Sequence, residues 1–441
     1  MRTSAVVSRR EFLRRTAATT VGAAAFPYII PASALGRDGV PAPSERIVMG
    51  CVGVGGQGRH NMRGFMNLPE THMAALCDVD AAHLADARGE VESFYADRAA
   101  SGSYSGCDGY NDFRELLARD DIDAVMIATP DHWHGVVSIA AAKAGKDMYC
   151  EKPLANSVAE GRAVVNAVKR YRRVLQTGSH ERSRDNARYA CELVRNGRIG
   201  KLHTIEVNLP IDNHGPIDNQ PVMPVPEGFD YDLWLGPAPW EPYTEKRCHF
   251  HFRYILDYSG GEVTDRGAHI IDLAQLGNGT DHTGPIDVSG WGDFPKDGLF
   301  NTAMNYKFEF NYANGVHMVC ECKGPRGVRF IGDKGWVFIH IHGGNLEADP
   351  ESLLREVIGP DEIRLGRSPG HHKDFINAVK TRGVTMAPPE AGHRTASMCH
   401  LANIAMRLGR PLRWDPDHEH FIDDPEADRM LCASMRAPWH I

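Results

Sequence analysis

This 441-residue chain has no excess of positive charge and no C-x-x-C cysteine pair, and long apolar runs are missing from all but its N-terminal segment. Beyond about the first 40 residues no apolar run reaches the length of a membrane span. The formal net charge of −8 gives no support to the binding of nucleic acid or another polyanion. We expect most of the ten cysteines to be buried free thiols. With 42% hydrophobic and 24% charged residues, the chain is typical of a globular protein with room for two domains.

The N-terminal segment has the features of an export signal. Arg9 and Arg10 match the paired arginines of a twin-arginine signal, and an apolar, alanine-rich stretch follows over residues 16–30. The Ala-Ser-Ala sequence at residues 32–34 is typical of a small-residue cleavage site. We therefore predict a signal peptide and linker over residues 1–40, and a periplasmic or otherwise exported protein.

A glycine-rich turn after the first buried strand predicts a dinucleotide site. Residues 47–52 indicate a parallel strand, and residues 53–58 match G-x-G-x-x-G. Asp78 ends the next predicted strand, where a carboxylate accepts hydrogen bonds from a ribose and favours NAD over NADP. The alternative is a glycine-rich surface turn. The predicted cofactor-binding residues are Gly53, Gly55, Gly56, Gln57, Gly58, Arg59, Asp78, Thr129, Pro130, His132 and Glu151.

The alternation of strands and helices changes near the middle of the chain. Strands alternating with helices predict a Rossmann domain with a parallel sheet over residues 41–178. Alternating apolar strands predict an α+β domain with a large open, mainly antiparallel sheet over residues 179–413. Within it, residues 212–248 indicate a loop excursion that covers a cleft or a subunit contact. Residues 414–441 are predicted to be a solvated C-terminal tail.

The sequence Glu151-Lys152-Pro153 follows a predicted strand of the first domain. Ligands of parallel sheets bind at the carboxyl ends of strands, so Lys152 is expected beside the cofactor. There its ammonium group can donate a hydrogen bond to a substrate oxygen. The alternative is a surface lysine in a loop.

Polar residues recur at helical spacing in a predicted helix of the second domain. A helix over residues 264–276 would place Asp265, His269 and Asp272 on one face, and His269 could take a hydroxyl proton as hydride leaves the same carbon. A carboxylate beside this imidazole would set its tautomer. A buried structural network is an alternative, and so is a metal site completed by His180, His249 or His251. We predict no metal here.

Four further residues lie close to these motifs in sequence. His132 falls in the first turn of a helix that Asp131 is expected to cap, whereas His134 is expected to pack or cap. Arg253 and Tyr254 precede the glycine pair at residues 260–261 and could bind sugar hydroxyls.

Taken together, these motifs resemble those of the Gfo/Idh/MocA oxidoreductases, and the resemblance covers nearly the whole mature chain. It rests on the glycine turn, Asp78, the Thr129-Pro130 pair, Glu151-Lys152-Pro153 and the pattern Asp265-x-x-x-His269-x-x-Asp272. The resemblance implies a homodimer or homotetramer, proton transfer by Lys152 and His269 at a sugar or cyclitol carbinol, and substrate binding aided by Asp265. The expected catalytic residues are Lys152, His269 and Asp265, and the expected substrate-binding residues are Lys152, Arg253, Tyr254, Asp265, His269, Asp272 and His180.

Export bears on the expected chemistry, because no pool of free NAD is expected outside the cytoplasm. We therefore expect an NAD-dependent oxidoreductase that holds its NAD tightly and regenerates it within the cycle. A redox-neutral glycosidase, lyase or epimerase is the first alternative. A non-catalytic sugar-binding protein on the same fold is the second.

Overall fold

A computed structural model describes residues 41–100, 104–211 and 215–441. The expected export signal at residues 1–40 lies outside the described residues. The chain divides after Arg46 into two units. The described part of the first unit contains a short 3-10 helix, Pro43–Glu45. The second unit, Ile47–Ile441, contains all the strands described below.

A six-stranded parallel sheet forms the first half of the second unit, in the order β3-β2-β1-β4-β5-β6. This arrangement confirms the predicted Rossmann-type parallel sheet. The strands are β1 Ile47–Val52, β2 Thr71–Cys77, β3 Asp108–Tyr110, β4 Ala124–Ile127, β5 Asp147–Cys150 and β6 Leu175–Thr177.

Helices cover this sheet because its central strands are apolar on both faces. Every residue of β4 and β5 is buried, including Asp147 at the start of β5. Asp147 accepts a hydrogen bond from the backbone N–H of Val174 (2.8 Å) and forms an ion pair with Arg382. The helices are α1 Gly56–Met66, α2 Ala81–Phe94, α3 Ala96–Ala100, α4 Phe113–Leu117, α5 Asp131–Lys143 and α6 Val158–Tyr171.

A nine-stranded sheet forms the second half, in the order β13-β12-β11-β7-β10-β9-β8-β14-β15. Only β7 and β10 pair in parallel, which confirms a mainly antiparallel sheet. The strands alternate between buried and more exposed residues, so one face carries the core. The strands are β7 Leu202–Asn208, β8 Asp287–Gly292, β9 Tyr306–Asn311, β10 His317–Glu321, β11 Gly327–Gly332, β12 Gly335–His340, β13 Leu346–Asp349, β14 Leu412–Asp415 and β15 His420–Phe421.

The buried face of this sheet packs on helices from the second half of the chain. The helix predicted over residues 264–276 is present as two segments, α9 Glu262–Asp265 and α10 Gly267–Asn278. Only Arg266 separates them, and its own backbone is helical (φ −84°, ψ −36°). The helices are α7 Asp185–Arg195, α8 Tyr231–Leu235, α9 Glu262–Asp265, α10 Gly267–Asn278, α11 His371–Thr381, α12 Pro389–Leu408 and α13 Pro425–Asp428.

The C-terminal segment is not the solvated tail that its acidic sequence indicated. Trp414 and Phe421 are buried in the core of the second sheet. Glu419 accepts hydrogen bonds from Arg162 (2.8 and 2.9 Å) on α6 of the first half. The prediction was wrong because apolar side chains of the segment enter the core, and because Glu419 is paired with the partly buried Arg162.

Two expectations from composition hold in the described residues. All ten cysteines are free thiols, and eight of them are buried. Among the described helices, none combines the length and apolarity needed to span a membrane.

Candidate active site

A cavity of about 560 Å³ lies at the carboxyl ends of the parallel strands, closed by residues from the second half. The strand order reverses between β1 and β4, and ligands of such sheets bind beside this reversal. Three residues of the predicted loop excursion line the cavity, which agrees with the first of the two roles predicted for this segment. The excursion is held to the end of β2 by a bridge between Asp80 and Phe229. Its cavity-lining residues are Phe229, Leu233 and Trp234.

The glycine turn between β1 and α1 has the geometry that a dinucleotide requires. Gly53 has φ of +83°, and a Cβ there would lie 2.6 Å from the carbonyl oxygen of Ala128. A Cβ at Gly58 would lie 1.9 Å from the Gly53 oxygen, so only glycine lets α1 pack this close to the strand. At Gly56 no heavy atom lies within 4 Å of a Cβ position, which leaves the backbone open to a diphosphate.

Two residues at the start of α1 that were predicted to bind the cofactor lie elsewhere. Gly58 and Arg59 do not line the cavity. The role of Gly58 is to let the helix and turn approach each other. The Arg59 side chain forms ion pairs with Asp86 (3.3 Å) and Glu90 (3.2 Å) on α2. Successive residues of an α-helix are turned by about 100° around its axis, so Arg59 points to a different side of α1 from Gly58.

Asp78 lines the cavity at the end of β2. Its carboxylate accepts hydrogen bonds from the backbone N–H groups of Val54 (2.8 Å) and Asp80 (2.9 Å). Burial raises the pKa of Asp78 above its usual value. Each oxygen keeps a second lone pair for a ribose hydroxyl. The glycine turn and this carboxylate therefore fit NAD.

Glu151 connects the glycine turn and α1 to Lys152. Its Oε1 atom accepts hydrogen bonds from Gln57 (3.2 Å) and Asn61 (2.8 Å), and Oε2 accepts one from the Lys152 N–H (3.2 Å). These bonds fix the end of β5, which precedes a cis peptide bond between Lys152 and Pro153.

Lys152 and Asp265 form an ion pair inside the cavity. The Lys152 Nζ atom donates to the Asp265 carboxylate and to the Asp265 backbone oxygen (3.1 Å), and both side chains are about 85% buried (14% and 15% exposed). The guanidinium of Arg253 lies 3.6 Å from the same carboxylate. Burial acts to raise the pKa of Asp265, but Lys152 and Arg253 outweigh it and hold that pKa well below the usual range. Asp265 is therefore an anion, and it positions Lys152.

His269 lies one helical turn after Asp265 and lines the same cavity. Burial lowers the pKa of His269 far below its usual value, and the nearby Lys152, His180 and His342 lower it further. The imidazole is thus neutral at pH 7. Its Nδ1 atom is buried and has no hydrogen-bond partner among the described residues. The expected carboxylate–imidazole pair is not present, because the Asp265 carboxylate is engaged by Lys152 and Arg253.

Asp272 was predicted to bind substrate, and the structure contradicts that prediction. Its carboxylate accepts hydrogen bonds from Arg182 (2.6 and 2.8 Å) and from Thr395 (3.1 Å). Arg182 and Asp272 are 2% and 1% exposed, and neither lines the cavity. Asp272 does share a helical face with Asp265, but seven residues of helix advance about 10 Å along the axis, which takes Asp272 past the end of the cavity.

Of the two histidines near the start of α5, only His134 lines the cavity, so the expected cofactor contact of His132 is wrong. His132 does not line the main cavity, and its Nε2 atom lies 3.0 Å from the carbonyl oxygen of Trp234. Burial lowers the pKa of His132 to about 4. His134 does line the cavity, with its ring nitrogens near the oxygens of Pro153 (2.6 Å) and Thr129 (2.9 Å).

Asp131 does not cap α5 with its side chain, which corrects the predicted role of this residue. It lines the cavity, and its carboxylate accepts a hydrogen bond from the Ser259 hydroxyl (2.5 Å). Burial raises the pKa of Asp131. This bond ties the start of α5 to the segment before α9.

The remaining predicted residues lie where the sequence placed them. Arg253, Tyr254 and His180 line the cavity, as do Thr129 and Pro130 at the end of β4. Several lining residues were missed, because they come from loops with no recognisable motif. The missed residues include Asn111, Phe250, Phe252 and His342.

Among curated proteins, the chain is similar to enzymes named for glycoside hydrolysis and to an oxidoreductase. It is 31% identical over 214 residues to an alpha-N-acetylgalactosaminidase from Shewanella oneidensis, and 30% identical over 213 residues to a glycosyl hydrolase family 109 protein from Shewanella baltica. Each match covers 44% of this chain and 44% of the relative, so it spans less than half the length of either protein. An uncharacterised oxidoreductase, YrbE from Bacillus subtilis, is 27% identical over 239 residues, which are 53% of this chain and 62% of that protein.

Solved structures share the fold over most of the chain. The aldose-aldose oxidoreductase from Caulobacter crescentus, complexed with glycerol, has a TM-score of 0.60 at 19% identity and covers 83% of this chain and 99% of its own. The WlbA dehydrogenase from Bordetella pertussis, in complex with NADH and UDP-GlcNAcA, has a TM-score of 0.60 at 16% identity and covers 84% of this chain and 99% of its own.

Two family models match the two halves of the chain. Residues 47–179 match the NAD-binding Rossmann fold of the oxidoreductase family, and residues 214–441 match its C-terminal alpha/beta domain. The first match agrees with the glycine turn and Asp78, and the second includes Asp265 and His269. The chain therefore belongs to the Gfo/Idh/MocA oxidoreductase family and carries its NAD-binding domain.

Proposed function

We propose that the protein is an NAD-dependent enzyme that oxidises a carbinol of a sugar, glycoside or cyclitol and keeps the reduced cofactor in place. The observation that carries the proposal is the meeting of three elements at one cavity: the glycine turn, Lys152 and His269. Two of the solved structures of the same fold are named as an aldose-aldose oxidoreductase and as a dehydrogenase complexed with NADH and a nucleotide sugar.

The side chains divide the work of removing a hydride and a proton from one H–C–O–H group. NAD, when bound, accepts the hydride from the carbon. Lys152 donates a hydrogen bond to the carbinol oxygen and stabilises the negative charge that develops there. His269 is neutral, so its ring can accept the hydroxyl proton. Asp265 holds the Lys152 ammonium group in position. When the hydride returns, the same groups act in reverse.

A redox-neutral glycosidase is a second candidate, favoured by the names of the Shewanella relatives. Oxidation of one carbinol to a ketone acidifies the neighbouring C–H bond, so a glycosidic oxygen can leave by elimination. Addition of water and return of the hydride then complete hydrolysis with no net oxidation. The two candidates share the first step and differ in their products.

The experiment follows the bound cofactor and the products together. Native mass spectrometry of the purified chain should find NAD retained, and its absorbance should change to that of NADH when a suitable sugar is added. An aldonate or keto sugar as final product indicates an oxidoreductase. A released aglycone without net oxidation indicates the glycosidase. Absence of any absorbance change across glycosides, free sugars and cyclitols would contradict both.

We also propose export by the twin-arginine pathway, supported by Arg9, Arg10 and the apolar stretch after them. Retained NAD suits an exported enzyme, because free NAD is not expected outside the cytoplasm. Cell fractionation of the full chain should find mature protein in the exported fraction. A variant with both arginines changed to lysine should stay in the cytoplasm, and unchanged export of that variant would contradict the proposal.

The nine-stranded sheet supports a further proposal, that the protein is a homodimer or homotetramer. One face of the sheet packs on helices, and the other carries the less buried residues of β9 and β10, including Lys307, Glu309 and Glu321. Trp291 on β8 is 50% exposed. Light scattering after gel filtration should give two or four times the mass of one chain, and a monomer mass would contradict the proposal.

A further inference from the structure

A group of three side chains at one end of the cavity lies beside Lys152 and His269 without taking part in the chemistry above. His180 and Glu181 begin the 3-10 helix His180–Ser183 that follows β6, and His342 follows β12. One nitrogen of each histidine and one carboxylate oxygen lie within 4.8 Å of one another. Both histidines line the cavity, whereas Glu181 lies behind them and is 1% exposed.

The distances within this group are those of ligands around a metal ion. The Glu181 Oε1 atom lies 3.2 Å from His180 Nε2 and 3.4 Å from His342 Nδ1. A tetrahedral zinc ion with ligand bonds near 2.1 Å separates its ligands by about 3.4 Å. These two contacts and one to Arg184 are the polar contacts of the Glu181 carboxylate among the described residues, and none of the three has full hydrogen-bond geometry. A buried carboxylate without full hydrogen bonds is costly unless a cation holds it.

One cation does lie on the far side of Glu181. Arg184 Nε is 3.1 Å from Oε2, the oxygen that faces away from the two histidines. This contact leaves Oε1 to the histidines and orients the carboxylate toward them. Partners of this kind commonly fix the ligands of a metal site.

We propose that His180, Glu181 and His342 bind a divalent transition metal, with zinc the expected ion and its fourth position open to the cavity. Two imidazoles and one carboxylate with an open position form a ligand set typical of catalytic zinc. The ring of His269 packs edge-on against both histidines, with its centroid 4.6 Å from the ring centroid of His180 and 5.4 Å from that of His342. The open position therefore lies where a substrate oxygen beside His269 could coordinate the metal. The sequence prediction of no metal is revised by this proposal.

A second group of possible ligands, Asp80, His83 and His249, lies at the other side of the cavity. It is a weaker candidate, because the Asp80 carboxylate already caps α2 by accepting hydrogen bonds from Ala82 (2.9 Å) and His83 (3.2 Å). It provides a matched control, since His249→Gln alters a cavity histidine without touching the proposed ligands.

The test measures metal binding directly and needs no turnover, so it stands apart from the proposed reaction. The full chain is isolated without chelator and titrated with zinc, and its metal content is measured by inductively coupled plasma mass spectrometry. We expect one zinc ion per chain. Glu181→Gln and His342→Gln should lose most of this zinc, and His249→Gln should keep it. Zinc should also raise the melting temperature of the wild type but not of the two ligand variants.

Three outcomes would overturn the proposal. One is a wild type that binds no transition metal either as isolated or after titration. Another is zinc that stays bound in both Glu181→Gln and His342→Gln. The third is zinc that is lost on His249→Gln instead. If Glu181→Gln does not fold, His342→Gln decides the matter alone, because the His342 side chain is one-third exposed and the Glu181 carboxylate still has Arg184 as a partner.

Discussion

Two ion pairs, seven residues apart along one helical segment, show how position decides the role of a carboxylate. Asp265 meets Lys152 inside the cavity, and Asp272 meets Arg182 in the interior of the protein. In both pairs the cation comes from the segment after a strand of the parallel sheet. The first pair is in reach of a substrate, whereas the second is surrounded by protein. The same kind of ion pair is therefore placed for the proposed chemistry in one case and for the stability of the fold in the other.

The largest expected effect is on turnover, from Lys152→Met. Removing the ammonium group should lower kcat by roughly 10²–10⁴-fold, because proton transfer and oxyanion stabilisation depend on it. NAD should still be retained, since the glycine turn and Asp78 are unchanged. Steady-state kinetics and native mass spectrometry measure the two quantities. A protein that only binds sugar would show no turnover to lose, and an unchanged kcat would contradict the assigned role.

The second pair should affect stability instead. Arg182→Met leaves the Asp272 carboxylate buried without its main partner, which should lower the free energy of unfolding by about 3–5 kcal/mol. Denaturant unfolding measures this. Lys152→Met is the matched control. It should lower the free energy of unfolding much less, because Asp265, the partner of Lys152, still has Arg253 nearby. Equal losses of stability in the two variants would break the distinction between the pairs.

Neither of the two ion pairs should explain the loss of stability that we expect in mild acid. We assign that loss to buried histidines. Burial lowers the pKa of His132 and of His400 to about 4, and that of His371 to about 3. These groups take up protons only on unfolding, so the stability they provide is complete above pH 6.5 and is lost as the pH falls toward 4.

His400→Gln tests this assignment. The loss of unfolding free energy between pH 7 and pH 5 should be about 2 kcal/mol smaller than in the wild type, since one such histidine contributes about 1.4 kcal/mol per pH unit below 6.5. Glutamine can still donate to the Ala155 oxygen that His400 contacts (3.0 Å). An unchanged pH dependence in this variant would show that other groups titrate.

The smallest expected effect comes from Thr395→Val, beside the interior pair. The Thr395 hydroxyl donates to Asp272 (3.1 Å), and its loss should lower the free energy of unfolding by about 1.5 kcal/mol. Turnover of the folded enzyme should stay at the wild-type value, because the residue lies outside the cavity. A large fall in kcat without a change in stability would place Asp272 in the chemistry after all.

Some residues of the candidate site could be predicted from the sequence, and others could not. The glycine turn, Asp78 and Lys152 were predictable because each depends on a local pattern at a strand end. Asp272 was wrongly assigned because helical spacing gives direction but not reach, and its partner Arg182 lies 90 residues away in sequence. His132 was wrongly assigned to the cofactor, since the pattern does not say which side of α5 meets the cavity. His342 had no signal, because only the folding of the second sheet brings it beside His180.

The most direct test of the central claim is a crystal structure of the protein grown with NAD. The account predicts the dinucleotide on the glycine turn, with its nicotinamide ring in the cavity that Lys152 and His269 line. A nicotinamide bound elsewhere, or Lys152 and His269 directed into separate cavities, would contradict it.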